Sequence, residues 1–307
     1  MEPGVDLDSS QTSGVAAALA AAKGAEQVLI FIGIGNAQEH EGIDRHNTSL
    51  PGLQEPFTLQ VLALCKELKI PAAVVLINGG ALAIDPIVPA ATSIVEAFYP
   101  SVRGAEALAL AMFGEENRFG KLPITMYDKA YISQVDFHDF SMSKSPGRTY
   151  KYYTGKPLFK FGTGLSYSHF TITCSASGTS AAYHSGVSTT ISCSVAHSGG
   201  AAVGDEVLQM FHSVGATIKS AAKHPVPIKE LVGFERVTVS TASAANVTFK
   251  VGAQQLGLVD EGGNTQLVAG EHNIEISNGA GFSAKFPVKV ASAKVLRTVP
   301  VCKECPK

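Results

Sequence analysis

QVLIFIGIGNAQEHEGIDR, residues 27–45, joins an unbroken apolar run to a stretch crowded with charge. The apolar run is short, continuous and bounded, as a strand buried on both faces requires. Its neighbours agree with that reading. Ahead of it, SGVAAALAAAKGA (13–25) reads as a helix with a Ser13 cap and a glycine stop. Behind it, LQEPFTLQVLALCKELKI (53–70) reads as an amphipathic helix ended by Pro71. AAVVLINGG (72–80) is a second buried strand, TSIVEAFYP (92–100) a third, and SVRGAEALALAMFGEENRFG (101–120) a further helix ending at a glycine. Strands alternating with helices predict an α/β layer with a mostly parallel sheet, ending near Tyr127.

Farther out the texture changes. Residues 128–164 have no stable period and are rich in Gly, Pro and aromatic residues, whose rings must pack somewhere. From Phe170 onward come short alternating segments such as TTISCSVAHSG, VGDEVLQMFHSV, KELVGFERVTVS, ANVTFKVG, GEHNIEISNG and FSAKFPVKVA, separated by Gly, Ser and Asn turns. Strands so spaced predict an antiparallel β-sandwich. The expected fold class is α/β plus all-β. Residues 1–164 form the first domain with its aromatic connector, 165–295 the second, and 296–307 a tail.

At 307 residues the chain is long enough for about two domains of ~150 residues each. Hydrophobic residues make up 45% and charged ones 16%, with a formal net charge of −2. That leaves no basic footprint for nucleic acid or an anionic membrane, and no apolar run reaches the roughly 20 residues that span a bilayer. MEPGVDLDSSQTSG is acidic and polar, so no signal peptide is expected in this chain. Of the five cysteines, Cys65 falls in an apolar helical pattern and is expected to be a buried free thiol. Cys174 and Cys193 sit in strand-like segments, either bridged or free. Cys302 and Cys305 form a lone C-x-x-C without the further ligands that zinc requires. Asn47 and Asn246 begin glycosylation triplets that matter only in a secreted protein.

The charged loop itself admits four chemistries. A dinucleotide fingerprint needs a glycine where Gln38 stands, and no Walker lysine motif is present. A helical metal site fails because His40-Glu41 is followed by Gly42 and then Asp44, with the next histidine at His46. Ser166 in GTGLSYS lacks the frame of a nucleophile elbow and reads as a turn serine. Carboxylate chemistry remains: glycoside hydrolysis pairs one carboxyl as proton donor with another as nucleophile or base. Glu39 and Glu41 follow a strand's carboxyl end, where α/β folds place ligands. Composition alone favours an ordinary solvated loop.

EHEGIDRHNTSLPGLQ, AVVLINGGALAID, AFYPSVRGAEALALAMFGEENRFGKLPITMY, SPGRTYKYYTGKPLFKFGTGLSYSHF and KELVGFERV occur in this order. Together they resemble the C-terminal portion of glycoside hydrolase family 3, in its β-xylosidase-like branch, from Gly4 to Ala291. The resemblance implies an α/β sandwich followed by a fibronectin type III-like domain, and a retaining enzyme that removes single sugars from β-linked or xylo-oligosaccharides. It implies Glu41 as general acid/base, with Glu39 as the fallback. It also implies Asp44 and Arg45 as an ion pair bracing the loop, an extracellular location, no cofactor and no metal.

The departures carry weight as well. The family's nucleophile is an aspartate in an S-D motif on an N-terminal barrel, near a K-H-F-type motif, and neither occurs here. The chain is expected to begin partway into the sandwich, to lack a nucleophile, and to have negligible activity alone. A sheet edge and an apolar helix face are expected to lie uncovered, favouring self-association. Three readings follow: the C-terminal part of a β-xylosidase-like hydrolase, a non-catalytic carbohydrate-binding or interaction module, or a subunit completed by a barrel in trans. His224, in HPVPIKELVGFERV, is expected to be structural.

Overall fold

A computed structural model describes residues 1–177 and 189–299. They form two compact units that interleave along the sequence. One comprises Met1–Leu110, Thr125–Phe140 and Gly155–Phe159; the other comprises Ala111–Ile124, Ser141–Thr154 and the described residues from Lys160 onward. The aromatic segment 128–164 thus contributes to both.

In the first unit, β1 (Val28–Gly33), β2 (Ala72–Ile77) and β3 (Ser93–Glu96) form a parallel sheet in that order. Val74, Val75 and Leu76 of the central strand are fully buried, which explains why β2 reads as apolar at every position. Helix α1 (Val15–Lys23) has Gly14 rather than Ser13 at its N-cap, and no side chain caps it. A Cβ on Gly14 would lie 2.0 Å from the Pro3 carbonyl oxygen, so the backbone packs too closely there for any other residue. Helix α2 (Gln54–Leu68) buries Gln54, Thr58, Val61, Leu62 and Cys65 along one face and stops at Lys69, which adopts a left-handed conformation. Cys65 is the buried free thiol expected. The helix read over 101–120 is shorter: α3 (Gly104–Met112) gives way before Gly114, whose φ is 79°. Although largely apolar, α3 buries none of its residues.

The second unit contains β4 (Ser168–Ser177), β5 (Thr189–Gly200), β6 (Val203–Val214), β7 (Glu230–Ser240) and β8 (Ala245–Val251). It continues through β9 (Leu258–Val259), β10 (Thr265–Leu267), β11 (Gly270–Ser277), β12 (Ser283–Val290) and β13 (Lys294–Arg297). Two antiparallel sheets, β4-β5-β8 and β12-β11-β6-β7, make the sandwich, and β13-β10-β9 forms a small third sheet. Alternate residues such as Ile191, Val195, Leu208, Met210, Phe249, Ile274 and Ile276 fill the core. Pro287 lies on β12, an edge strand, where a missing N–H costs no ladder bond.

Of the two readings of Cys174 and Cys193, the bridge is formed; it joins paired positions of β4 and β5. Cys302 and Cys305 lie outside the described residues. A buried ion pair joins Lys121 to Glu206 at 2.8 Å. Lys121 Nζ also donates to the Gly164 carbonyl, and Glu206 Oε2 accepts from Asn278. The Ser166 hydroxyl donates to Asn117, as a turn serine would, and His224 is bonded to the Val259 carbonyl. Among the described residues no helix is long and apolar enough to cross a membrane.

Candidate active site

Because β1, β2 and β3 run parallel, their carboxyl ends lie along one edge of the sheet, where the following loops meet. Gln54 fixes the end of β1. Its buried side-chain amide accepts the Gly33 N–H at 2.7 Å and donates to the Gly33 and Leu7 carbonyls at 2.8 Å. Gly33 must be glycine because a Cβ there would fall 1.9 Å from the Ile77 carbonyl oxygen. The charged loop therefore leaves the sheet from a rigid point.

Glu39 reaches across to the turn after β2 and to the chain after β3. The Gly79 N–H donates to Oε1 at 2.8 Å and the Gly80 N–H to Oε2 at 2.8 Å. The Tyr99 hydroxyl donates to Oε1 at 2.6 Å. A Cβ on Gly80 would stand 2.3 Å from Glu39 Oε2, so the carboxylate approaches where only glycine leaves room. Burial pushes this carboxyl up, but the bonds from Tyr99, Gly80 and Gly79 and the charge of Arg45 outweigh it and hold it below the usual range. Burial, followed by the Glu39 carboxylate, raises Tyr99, so its hydroxyl remains the donor.

Glu41 is placed differently. The Ile43 N–H bonds to the His40 carbonyl at 3.0 Å, and Gly42 takes a φ of 87°. Glu41 and Gly42 are thus the central residues of a tight turn, with glycine at the position that needs positive φ. Glu41 is exposed at its tip and makes no hydrogen bond or ion pair among the described residues. Two glutamates two residues apart therefore do opposite things: one is held by amides, and one projects.

The expected Asp44–Arg45 ion pair is not formed. The Arg45 guanidinium donates to the Asn47 carbonyl at 3.2 Å and the Ala81 carbonyl at 2.9 Å, which turns it toward β2's turn and Glu39. Asp44 is exposed and has no ion-pair partner among the described residues. Gly79, Gly80, Tyr99 and Gln54 were not singled out from sequence as site residues. A signal for the first two was present, because a Gly-Gly pair directly after a buried strand offers two bare N–H groups at the sheet's ligand edge. Among the described residues no group of three or more His, Cys, Asp or Glu is placed to hold a metal.

Residues 6–167 match the glycosyl hydrolase family 3 C-terminal domain, and residues 206–280 match a fibronectin type III-like domain. The chain is 31% identical to an exo-1,4-beta-xylosidase of Emericella nidulans, over 97% of its own length and 40% of that protein's. It is 29% identical to beta-xylosidase/alpha-L-arabinofuranosidase 2 of Medicago sativa subsp. varia, over 84% of its own length and 36% of the relative's. Among solved structures it is similar to a GH3 exo-beta-xylosidase in complex with a xylobiose aziridine activity-based probe. That similarity has a TM-score of 0.83 at 26% identity, over 98% of this chain and 41% of the other. The chain spans well under half the length of the relatives it matches.

Proposed function

The chain belongs to glycoside hydrolase family 3, and from that membership we propose that it carries the general acid/base half of a retaining glycosidase site, with Glu41 as the proton donor. The observation that carries this reading is the contrast at the sheet edge. Glu39 is ionised and bonded on both oxygens, whereas Glu41 projects unpaired from a turn that Glu39 anchors. A proton donor must reach the leaving oxygen, and a carboxylate held ionised by amides has neither the proton nor the freedom. The β-xylosidase relatives make a terminal β-linked xylosyl residue the preferred substrate.

In the two-step reaction, Glu41 protonates the glycosidic oxygen as a second carboxylate attacks the anomeric carbon. It then takes a proton from the water that releases the sugar. The second carboxylate is assigned to a barrel outside these 307 residues, joined to the chain or supplied in trans. Docking of that barrel over the Glu41 turn would enclose the acid and exclude water from the leaving oxygen. The same reading places the chain in an oxidising, extracellular compartment, which the Cys174–Cys193 bridge supports.

The test is a chimera that joins this chain to the barrel portion of the E. nidulans relative. Glu41→Gln should lower hydrolysis of xylosides with poor leaving groups by about 10²–10⁴-fold, and of activated nitrophenyl xyloside far less. A chimera whose Glu41→Gln form keeps its rate on poor leaving groups overturns the assignment. The unjoined chain should show negligible turnover of either substrate.

A further inference from the structure

The sandwich carries an Asn-x-Thr triplet, Asn246–Val247–Thr248, within β8. In the β4-β5-β8 sheet β8 is an outer strand, and among the described residues it pairs there only with β5. Exposed and buried residues alternate along it. Val247 and Phe249 enter the core, while Asn246 and Thr248 point outward. Both chemical partners of the triplet thus share one face. The Asn246 side-chain amide makes no hydrogen bond among the described residues.

Strand register sets what surrounds that amide. Asn246 stands opposite Ser194 of β5, which stands opposite Thr173 of β4. Thr248 stands opposite Ser192, which stands opposite Ser175. All six are exposed, so two neighbouring rows of short, uncharged side chains cross the sheet, none long enough to cover Asn246. On the opposite face, between the rows, the Cys174–Cys193 bridge ties β4 to β5. The other triplet is placed differently. Asn47 Oδ1 accepts the Ser49 N–H at 3.0 Å, and the Asn47 carbonyl accepts from Arg45. It belongs to the loop that carries Glu41, where a bulky substituent would stand in the approach of a substrate.

We infer that Asn246 is the attachment site of an N-linked glycan, held at the rim of the hydroxyl-lined outer face of the three-stranded sheet. The co-reactant is an oligosaccharide activated as a polyprenyl diphosphate. Asn246 Nδ2 forms a bond to its anomeric carbon and gives up one amide proton. The sugar–phosphate C–O bond breaks, and the polyprenyl diphosphate leaves with the electron pair. The fold has to leave room for so bulky a group, and the two rows of Ser and Thr do so. The glycan also places a hydrated substituent on an outer strand, the part of a sheet most open to pairing with another chain. The inference rests on the extracellular reading above, because the triplet is an acceptor only in a secreted protein.

The test secretes the 307-residue chain from a eukaryotic host behind a cleavable leader. Peptide N-glycosidase in heavy-oxygen water then converts each glycosylated asparagine to a labelled aspartate. The tryptic peptide Val237–Lys250 should carry that label at position 246, and without the enzyme it should run at the added mass of a glycan. Asn246→Gln should lose both signals. Should that variant fail to fold, Thr248→Ala keeps the asparagine and removes the acceptor triplet, and it should lose both signals as well. A bare Asn246 in the secreted chain, whether or not Asn47 is modified, overturns the inference, as does a label that persists in Thr248→Ala. The Cys174–Cys193 bridge is read from other peptides of the same digest. Failure of the compartment reading, seen as reduced cysteines, is therefore distinguishable from a bare Asn246.

Discussion

The β-sandwich packs a four-stranded sheet on a three-stranded one around a continuous apolar core, whereas the parallel sheet has three strands, and among the described residues its outer strands β1 and β3 each pair only with β2. Phe31 on its edge strand is 55% exposed, and α3 buries nothing. Yet the candidate chemistry sits on this less enclosed region. Its loop geometry depends on a few hydrogen bonds, from Gly79, Gly80, Tyr99 and Gln54, rather than on packing. The sandwich depends on burial, including the burial of charge. The two regions should therefore respond to different perturbations.

The largest effect belongs to the sandwich. Glu206→Leu leaves the Lys121 ammonium buried without its counter-ion and should destabilise this unit by about 3–5 kcal/mol. Hydrogen exchange of the β6 amides reports that loss, and Lys121→Met in the same chain should recover much of it. Amides of β2 should change little if the regions are held by separate interactions.

Acid should come next. His272 donates from Nε2 to the Val268 carbonyl at 2.8 Å, so its Nδ1 accepts from His212 Nε2 at 2.8 Å. Both rings are neutral and buried. Burial, followed by the neighbouring ring, lowers His212 to about 3 from 6.5. Between those values the unfolded chain binds more protons, so stability is complete above about 6.5 and falls as pH drops toward 3. Urea midpoints measured down that range should decline, and less so in a His212→Phe/His272→Leu chain. Equal slopes would mean that the pair does not titrate on unfolding.

Much of this contrast was legible in the sequence. Alternation in segments such as ANVTFKVG and GEHNIEISNG marks strands with one buried face, and the continuous AAVVLI marks one buried on both. Within the site, legibility ended where partners are distant in sequence. Nothing in QEHEGIDR distinguishes Glu39 from Glu41, because the groups that tie down Glu39 lie 40 and 60 residues away. Arg45 failed to pair with the adjacent Asp44 for a similar reason: the Ala81 carbonyl, 36 residues on, is the partner within reach. Ser13 does not cap α1; the N-cap is Gly14, where the Pro3 carbonyl comes too close for a Cβ. Local chemistry indicated what the loop could do, and long-range hydrogen bonds separate the glutamate that is held from the one that projects.

The smallest effects test the central claim, that Glu39 anchors the loop and leaves Glu41 free. Denaturant unfolding of the first region, followed through the Gly79 and Gly80 amides, measures it most directly. Glu39→Gln should cost about 1–2 kcal/mol through loss of charge-assisted bonds and should speed exchange of those two amides. Glu41→Gln should stay within about 0.5 kcal/mol of the natural chain and leave their exchange unaltered. Equal costs, or a larger cost at Glu41, would contradict the assignment of anchor and acid.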